Sequence, residues 1–259
     1  LSRGLGDVYK RQGRNVLYIT LEMAEEKIAE RIDANLFNVN IKDLVDLPET
    51  IFQSRINELK RKTQGRLIIK EYPTASAHVG HFKSLLNELQ LKKSFRPDII
   101  FIDYLNICAS ARYKGAIVNS YTYVKAIAEE LRGLAVEHNV PLVSATQTTR
   151  SGFGNSDVDL TDTSESFGLP ATADFMFALI ATEDLEKDGK IMVKQLKNRY
   201  NDPTMYKRFL VGVDRARMKL YNVDNAVDLS SDKEEEYDFE EMAEQQSKNT
   251  QNKFTNFIV

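Results

Sequence analysis

Pro97-Asp98-Ile99-Ile100-Phe101-Ile102-Asp103 reads PDIIFID, four consecutive apolar residues closed by a carboxylate. A run that is apolar at every position, not at alternate ones, predicts a strand buried on both faces, the habit of a parallel sheet sandwiched between helices. Comparable runs occur at 67–70, 142–146, 174–180, 191–196 and 209–213. Upstream, 14–22 is an apolar strand (Val16, Leu17, Tyr18, Ile19) that runs into a helix with Met23, Ile28, Ile32 and Leu36 at helical spacing. Two more stretches carry helical stripes: 76–93, with Phe82, Leu85, Leu86 and Leu89, and 118–138, with Val124, Ile127, Leu131 and Leu134. This alternation predicts an α/β fold, a mostly parallel twisted sheet flanked by helices, with the later strands joined by hairpins. Ligands of such sheets sit at the carboxyl ends of the strands, so the residue at which each strand stops is where chemistry is sought.

Composition bounds the rest. With 259 residues, 42% hydrophobic and 28% charged, the chain can bury one large core, and a formal charge of -3 does not by itself mark a nucleic-acid binder. A single cysteine, Cys108, cannot form an internal disulfide, and no apolar stretch approaches the roughly 18 residues of a membrane span, which suits a cytoplasmic setting. Residues 1–12 (LSRGLGDVYKRQ) show no hydrophobic periodicity and read as a non-native, adapter-like segment. One domain is expected over 13–228. The composition then turns acidic, with EEEYDFEEMAEQQ from Glu234, and 229–259 is expected to be a flexible acidic tail ending in Phe254, Phe257, Ile258 and Val259, apolar groups suited either to a partner's groove or to packing on their own domain.

Four strand ends carry candidate chemistry. Asp103 closes a pattern used by nucleotide hydrolases to hold Mg²⁺, although four apolar residues and an Asp equally describe a buried strand ending at a turn. Glu22, at the end of ITLEM, could orient and deprotonate an attacking water, or simply favour the first turn of a helix. Gln147, after VSAT, could sense a γ-phosphate, or be a polar residue leaving a strand. In KQLKNRYNDP, Lys197 and Arg199 lie two residues apart and so share a face; they could reach a neighbouring subunit's anion, or be a solvated basic edge.

Taken in order, ITLEM, DIIFIDYLNI, VPLVSATQTTR, SESFGLPATAD and KQLKNRYNDP resemble the DnaB-type superfamily 4 replicative helicases, most of all those of T-even phages, over about residues 13–222. The resemblance implies a RecA-like core, a hexameric ring translocating on single-stranded DNA, ATP and Mg²⁺ bound between subunits, and association with a primase and a helicase loader. It makes Glu22 the catalytic glutamate, Asp103 the metal-holding aspartate, Gln147 the phosphate sensor, and Lys197 and Arg199 the basic pair acting in trans. It also implies DNA-backbone contacts from loops at 109–119 and 150–168, with Arg112, Lys114, Arg150, Ser164, Glu165, Phe167 and Gly168 as candidates.

The phosphate-binding loop that this family requires, Gly-x-x-x-x-Gly-Lys followed by Ser or Thr, does not occur in the 259 residues; the pair Gly189-Lys190 is followed by Ile191. Truncation is the simplest expectation, and with it a fragment that binds ATP weakly and does not hydrolyse it. Two alternatives remain open from the sequence: a RecA or RadA-type recombinase, and a non-catalytic adaptor of the same fold.

Overall fold

A computed structural model of the chain describes residues 13–113, 118–148, 160, 168–202 and 206–223. The chain divides into two units, Leu1–Val223 and Asp224–Val259, and the second, which contains the expected tail, lies outside the described residues.

The first half is built on strands β1 (Val16–Thr20), β2 (Leu67–Glu71), β3 (Ile99–Asp103) and β4 (Leu142–Ser144), in the spatial order β2-β1-β3-β4 and all parallel. Helices α1 (Glu25–Phe37), α2 (Glu49–Lys62), α3 (Val79–Lys93) and α4 (Ser120–His138) provide the crossovers. Side chains alternate across a strand, so β1 and β3 feed two cores at once. Leu17, Ile19, Ile100 and Ile102 pack with Phe82, Leu86, Leu89, Ile127, Leu131 and Leu134 of α3 and α4, whereas Val16, Tyr18, Ile99 and Phe101 pack with Ile28 and Ile32 of α1. That is why PDIIFID is apolar without alternation: every residue from Ile99 to Ile102 is buried.

The helices start and stop where local chemistry directs. Asn119 caps α4 by accepting from Thr122 N–H at 2.8 Å, and Asn139 ends it in the left-handed region at φ 48°. Asn38 ends α1 in the same way.

The later strands form a second sheet. The short helix α5 (Gly168–Thr172) leads into β5 (Phe175–Ile180), α6 (Glu183–Lys187), β6 (Lys190–Asn198), β7 (Arg208–Asp214) and β8 (Lys219–Asn222), an antiparallel meander in the order β5-β6-β7-β8. The expected parallel sheet flanked by helices is present, and among the described residues the hairpin-joined strands pair with one another instead of extending it. At the β7/β8 pairing Gly212 faces Tyr221, whose ring occupies the space a Cβ would need. The turn between these strands docks on the end of α1: Ile41 N–H donates to Ala216 O at 2.8 Å, and Asn35 Nδ2 to Met218 O at 2.8 Å.

Candidate nucleotide site at the strand ends

Three of the residues singled out in the sequence leave adjacent strands at the same edge of the parallel sheet. The register pairs Thr20 of β1 with Asp103 of β3, and Leu21 N–H donates to Asp103 O at 2.9 Å, so Glu22 emerges beside Asp103. On the other side of β3, Leu105 N–H donates to Ala145 O at 3.3 Å, and Gln147 Nε2 donates to the Tyr104 hydroxyl at 3.0 Å. Glu22 and Gln147 are exposed, and Asp103 is half-buried.

Local hydrogen bonds fix this edge. The buried Tyr18 hydroxyl donates to Asp103 Oδ2 at 2.6 Å, which orients the carboxylate and leaves Oδ1 uncommitted to that bond. Thr20 Oγ1 accepts from Met23 N–H at 3.1 Å, and Thr74 Oγ1 donates to Leu21 O at 2.7 Å, so the turn carrying Glu22 is tied down on both sides. Two buried oxygens nearby, Asn106 Oδ1 after β3 and Thr146 Oγ1 after β4, have no hydrogen-bond partner among the described residues.

Oxygen donors of this kind suit a hard cation. Among the described residues no group of three or more His, Cys, Asp or Glu side chains could hold a metal. Mg²⁺ bound with a nucleotide needs only one or two carboxylates from a protein, because waters and phosphate oxygens supply the rest. Asp103, whose Oδ1 is not taken by the Tyr18 bond, fits as the protein's ligand to such an ion.

Lys197 and Arg199 are placed on the other sheet, at the end of β6. Lys197 Nζ donates to Pro170 O at 2.5 Å; Arg199 Nη1 donates to Asp174 Oδ1 at 2.6 Å and Nη2 to Ala171 O at 3.4 Å. Asp174 is shared, because Arg132 of α4 donates to its Oδ2 at 2.6 Å and to Thr172 O at 2.9 Å. The Arg132 guanidinium holds the Asp174 carboxyl below the usual carboxylate range, with Arg199 and Lys197 adding to the effect. Burial, and then the like charge of Arg199, hold Lys197 below the ordinary lysine range. The basic pair is thus docked on the C-terminal carbonyls of α5, where a helix end attracts cations.

Of the DNA-contact candidates, Lys114, Arg150, Ser164, Glu165 and Phe167 lie outside the described residues. Arg112 is exposed, but its Nη1 donates to Glu129 Oε2 at 2.5 Å, and this pairing raises its pKa further. Gly168 opens α5 and is buried; a Cβ there would meet the Lys125 side chain at 2.9 Å, so close packing accounts for the glycine.

Tyr18, Tyr104, Arg132 and Asp174 were missed by the sequence reading as parts of these clusters. Asp174 stands in the SESFGLPATAD segment, yet nothing in its spacing announces two arginine partners. The Tyr18 contact crosses 85 residues of sequence and depends on the β1/β3 register.

Comparison with known proteins supplies the remaining findings. The family described as DnaB-like helicase C terminal domain matches residues 5–208, a match that begins inside the 1–12 stretch. The DnaB-like replicative helicase of Enterobacteria phage T4 is 48% identical over 219 residues, covering 83% of this chain and 46% of that protein. A probable plasmid replicative DNA helicase of Chlamydia trachomatis is 33% identical over 144 residues, 54% of this chain and 30% of the relative. The chain therefore spans half or less of the length of these relatives. Among solved structures, a DnaB-like replicative helicase described with its interactions with primase superposes with a TM-score of 0.70 at 18% identity, covering 86% of this chain and 54% of that one. A separately solved ATPase domain gives the same TM-score and identity, covering 79% of that chain. At that identity the likeness establishes the fold, a RecA-like α/β domain.

Proposed function

Since the chain belongs to the DnaB-like helicase C-terminal domain family, we propose that residues 13–228 are motor sequence of an ATP-driven replicative DNA helicase. It works as a hexameric ring that moves on single-stranded DNA in the cytoplasm of a phage-infected or bacterial cell, with a primase and a loader as partners. The observation that supports this reading best is the emergence of Glu22 and Asp103 from neighbouring parallel strands, with Gln147 on the next strand along.

Each residue then has a task that its position suits. Asp103, oriented by Tyr18, holds the cation side of the nucleotide. Mg²⁺ held there by Asp103 would supply neutralisation of the charge that develops on the phosphates. Glu22, exposed on an anchored turn, accepts a proton from the attacking water. Gln147 donates toward the terminal phosphate, its amide being held by a hydroxyl that a phosphate oxygen can replace. Lys197 and Arg199, held at the end of β6 by α5 carbonyls and Asp174, exchange these partners for the nucleotide of an adjoining copy, where a guanidinium stabilises charge at the transition state.

Without a Gly-x-x-x-x-Gly-Lys segment, these 259 residues alone bind ATP weakly and do not hydrolyse it. The test uses the isolated chain and a chimera in which the preceding portion of the phage T4 relative is joined in frame before Gly13. We expect DNA-stimulated ATP hydrolysis from the chimera and none from the chain. Hydrolysis by the isolated chain, or a chimera that assembles into rings yet stays inactive, contradicts the assignment.

A further inference from the structure

The loop that leaves β3 is held by one carboxylate on α4. Glu130 Oε1 accepts from Ser110 Oγ at 2.7 Å and from Arg112 N–H at 3.2 Å, and Oε2 accepts from Ala111 N–H at 2.8 Å. Ser110 is almost fully buried, its N–H donates to the Tyr123 hydroxyl at 3.0 Å, and its Oγ also accepts from Arg112 and Tyr113 N–H. One residue earlier on the helix, Glu129 takes the Arg112 guanidinium. The upstream end is fastened too, Ala109 N–H donating to Ala77 O at 2.8 Å. Two adjacent acidic residues of one helix thus serve the same loop, Glu130 through the backbone and Glu129 through the side chain.

A carboxylate whose two oxygens satisfy backbone N–H groups is spent on shape, not on presenting charge to solvent. The consequence concerns binding. A loop that meets a flexible polyanion loses affinity to the entropy of ordering itself, and a loop ordered beforehand does not. We propose that Glu130 is a positioning residue for single-stranded DNA: it holds the backbone of 110–112 in the shape from which the exposed Arg112 exchanges its Glu129 partner for a phosphate. This rests on the reading of 109–119 as a DNA-contacting loop.

Simple electrostatics and positioning give opposite signs for one substitution. Removing a negative charge beside a polyanion site should tighten binding, whereas Glu130→Gln, whose amide N–H replaces one acceptor oxygen and so opposes one of the two backbone N–H donors, should weaken it. With the 259-residue chain and a labelled oligothymidine in fluorescence anisotropy, Glu130→Gln is expected to weaken binding about tenfold, the loss of roughly one charge-assisted hydrogen bond. The slope of log affinity against log salt is expected to stay unchanged, because no phosphate contact is lost. Arg112→Ala should instead lower that slope by about one. Equal or tighter binding by Glu130→Gln overturns the proposal.

Tryptic cleavage after Arg112 provides a readout independent of DNA. It should accelerate about tenfold in Glu130→Gln and by less in Ser110→Ala, which removes one of the three donors and serves if the glutamine variant does not fold. An unchanged cleavage rate overturns the proposed hold on the loop. If the unsubstituted chain fails to bind the oligonucleotide even at low salt, the DNA-contact reading falls, and the tryptic rate alone decides whether Glu130 fixes the loop.

Discussion

β3 and β7 are built from similar apolar residues and live in different surroundings. In β3 Phe101 is 0% exposed and its neighbours are buried on both faces, whereas in β7 Phe209 is 47% exposed and Leu210 43%. The parallel sheet is a closed core whose edge can hold acidic groups at fixed positions. The antiparallel sheet is a half-open platform at whose β6 end the part-buried Lys197 and the exposed Arg199 are docked on α5 by bonds to carbonyls and one shared carboxylate.

The contrast can be broken most forcefully in the cores. Phe101→Ala should cost about 3–5 kcal/mol of unfolding free energy, as large-to-small changes in packed interiors do. Phe209→Ala should cost less than about 1 kcal/mol, as surface substitutions do. Urea unfolding followed by circular dichroism measures both, and equal losses would erase the distinction between the two sheets.

A smaller effect is expected at the acidic edge. Tyr18→Phe removes only the hydroxyl that orients Asp103 and should cost about 1 kcal/mol in the same assay. In the ATP-hydrolysing chimera it should also raise the Mg²⁺ concentration needed for half-maximal rate; an unchanged Mg²⁺ requirement would remove Tyr18 from the site.

The platform is expected to answer to pH. The folded pKa of Asp174 is lowered, so its stabilising contribution is present in full above the ordinary Asp value of about 3.9 and is lost as pH falls through the folded value. Asp174→Asn should therefore melt below the unsubstituted chain at neutral pH, with the gap closing at acid pH below the ordinary range. A gap that persists there would mean the ion pairs with Arg132 and Arg199 do not carry the effect.

The smallest effect is none at all. Burial pushes the Cys108 thiol up to about 12, so at a mildly alkaline pH of about 8 a thiol reagent should label it only after unfolding. Ready labelling of the folded chain would show that the core near the β3 exit opens.

How much of this could be read beforehand follows from the same contrast. The closed core wrote itself into the sequence as unbroken apolar runs and helical stripes, so β1, β3, α3 and α4 were legible. Helix α2 was not, because its face is poor in apolar groups: Ile51 is 44% exposed, and Phe52 packs edge-on against Phe37. Nor was β8, four residues of mixed character. The division into two sheets lay beyond reach, since periodicity reports what covers a strand and not which strand lies beside it. Glu22, Asp103 and Gln147 could be named because strand ends are visible in sequence. Their neighbours Tyr18 and Tyr104, and the Asp174 bridge, could not, because those contacts exist only once the register and the α4/α5 packing are set. Lys197 and Arg199 were named as a pair, while their docking on α5 was not foreseen.

In the proposed ring, the acidic edge of one subunit is completed by the basic pair of the next. In the ATP-hydrolysing chimera, Glu22→Gln and Arg199→Ala subunits are each expected to be inactive, and the decisive measurement is the ATPase rate of rings assembled from a mixture of the two. Activity above that of either parent is the predicted result, since some interfaces then join an intact Glu22 to an intact Arg199 from the neighbour. Mixed rings no more active than the parents would contradict it.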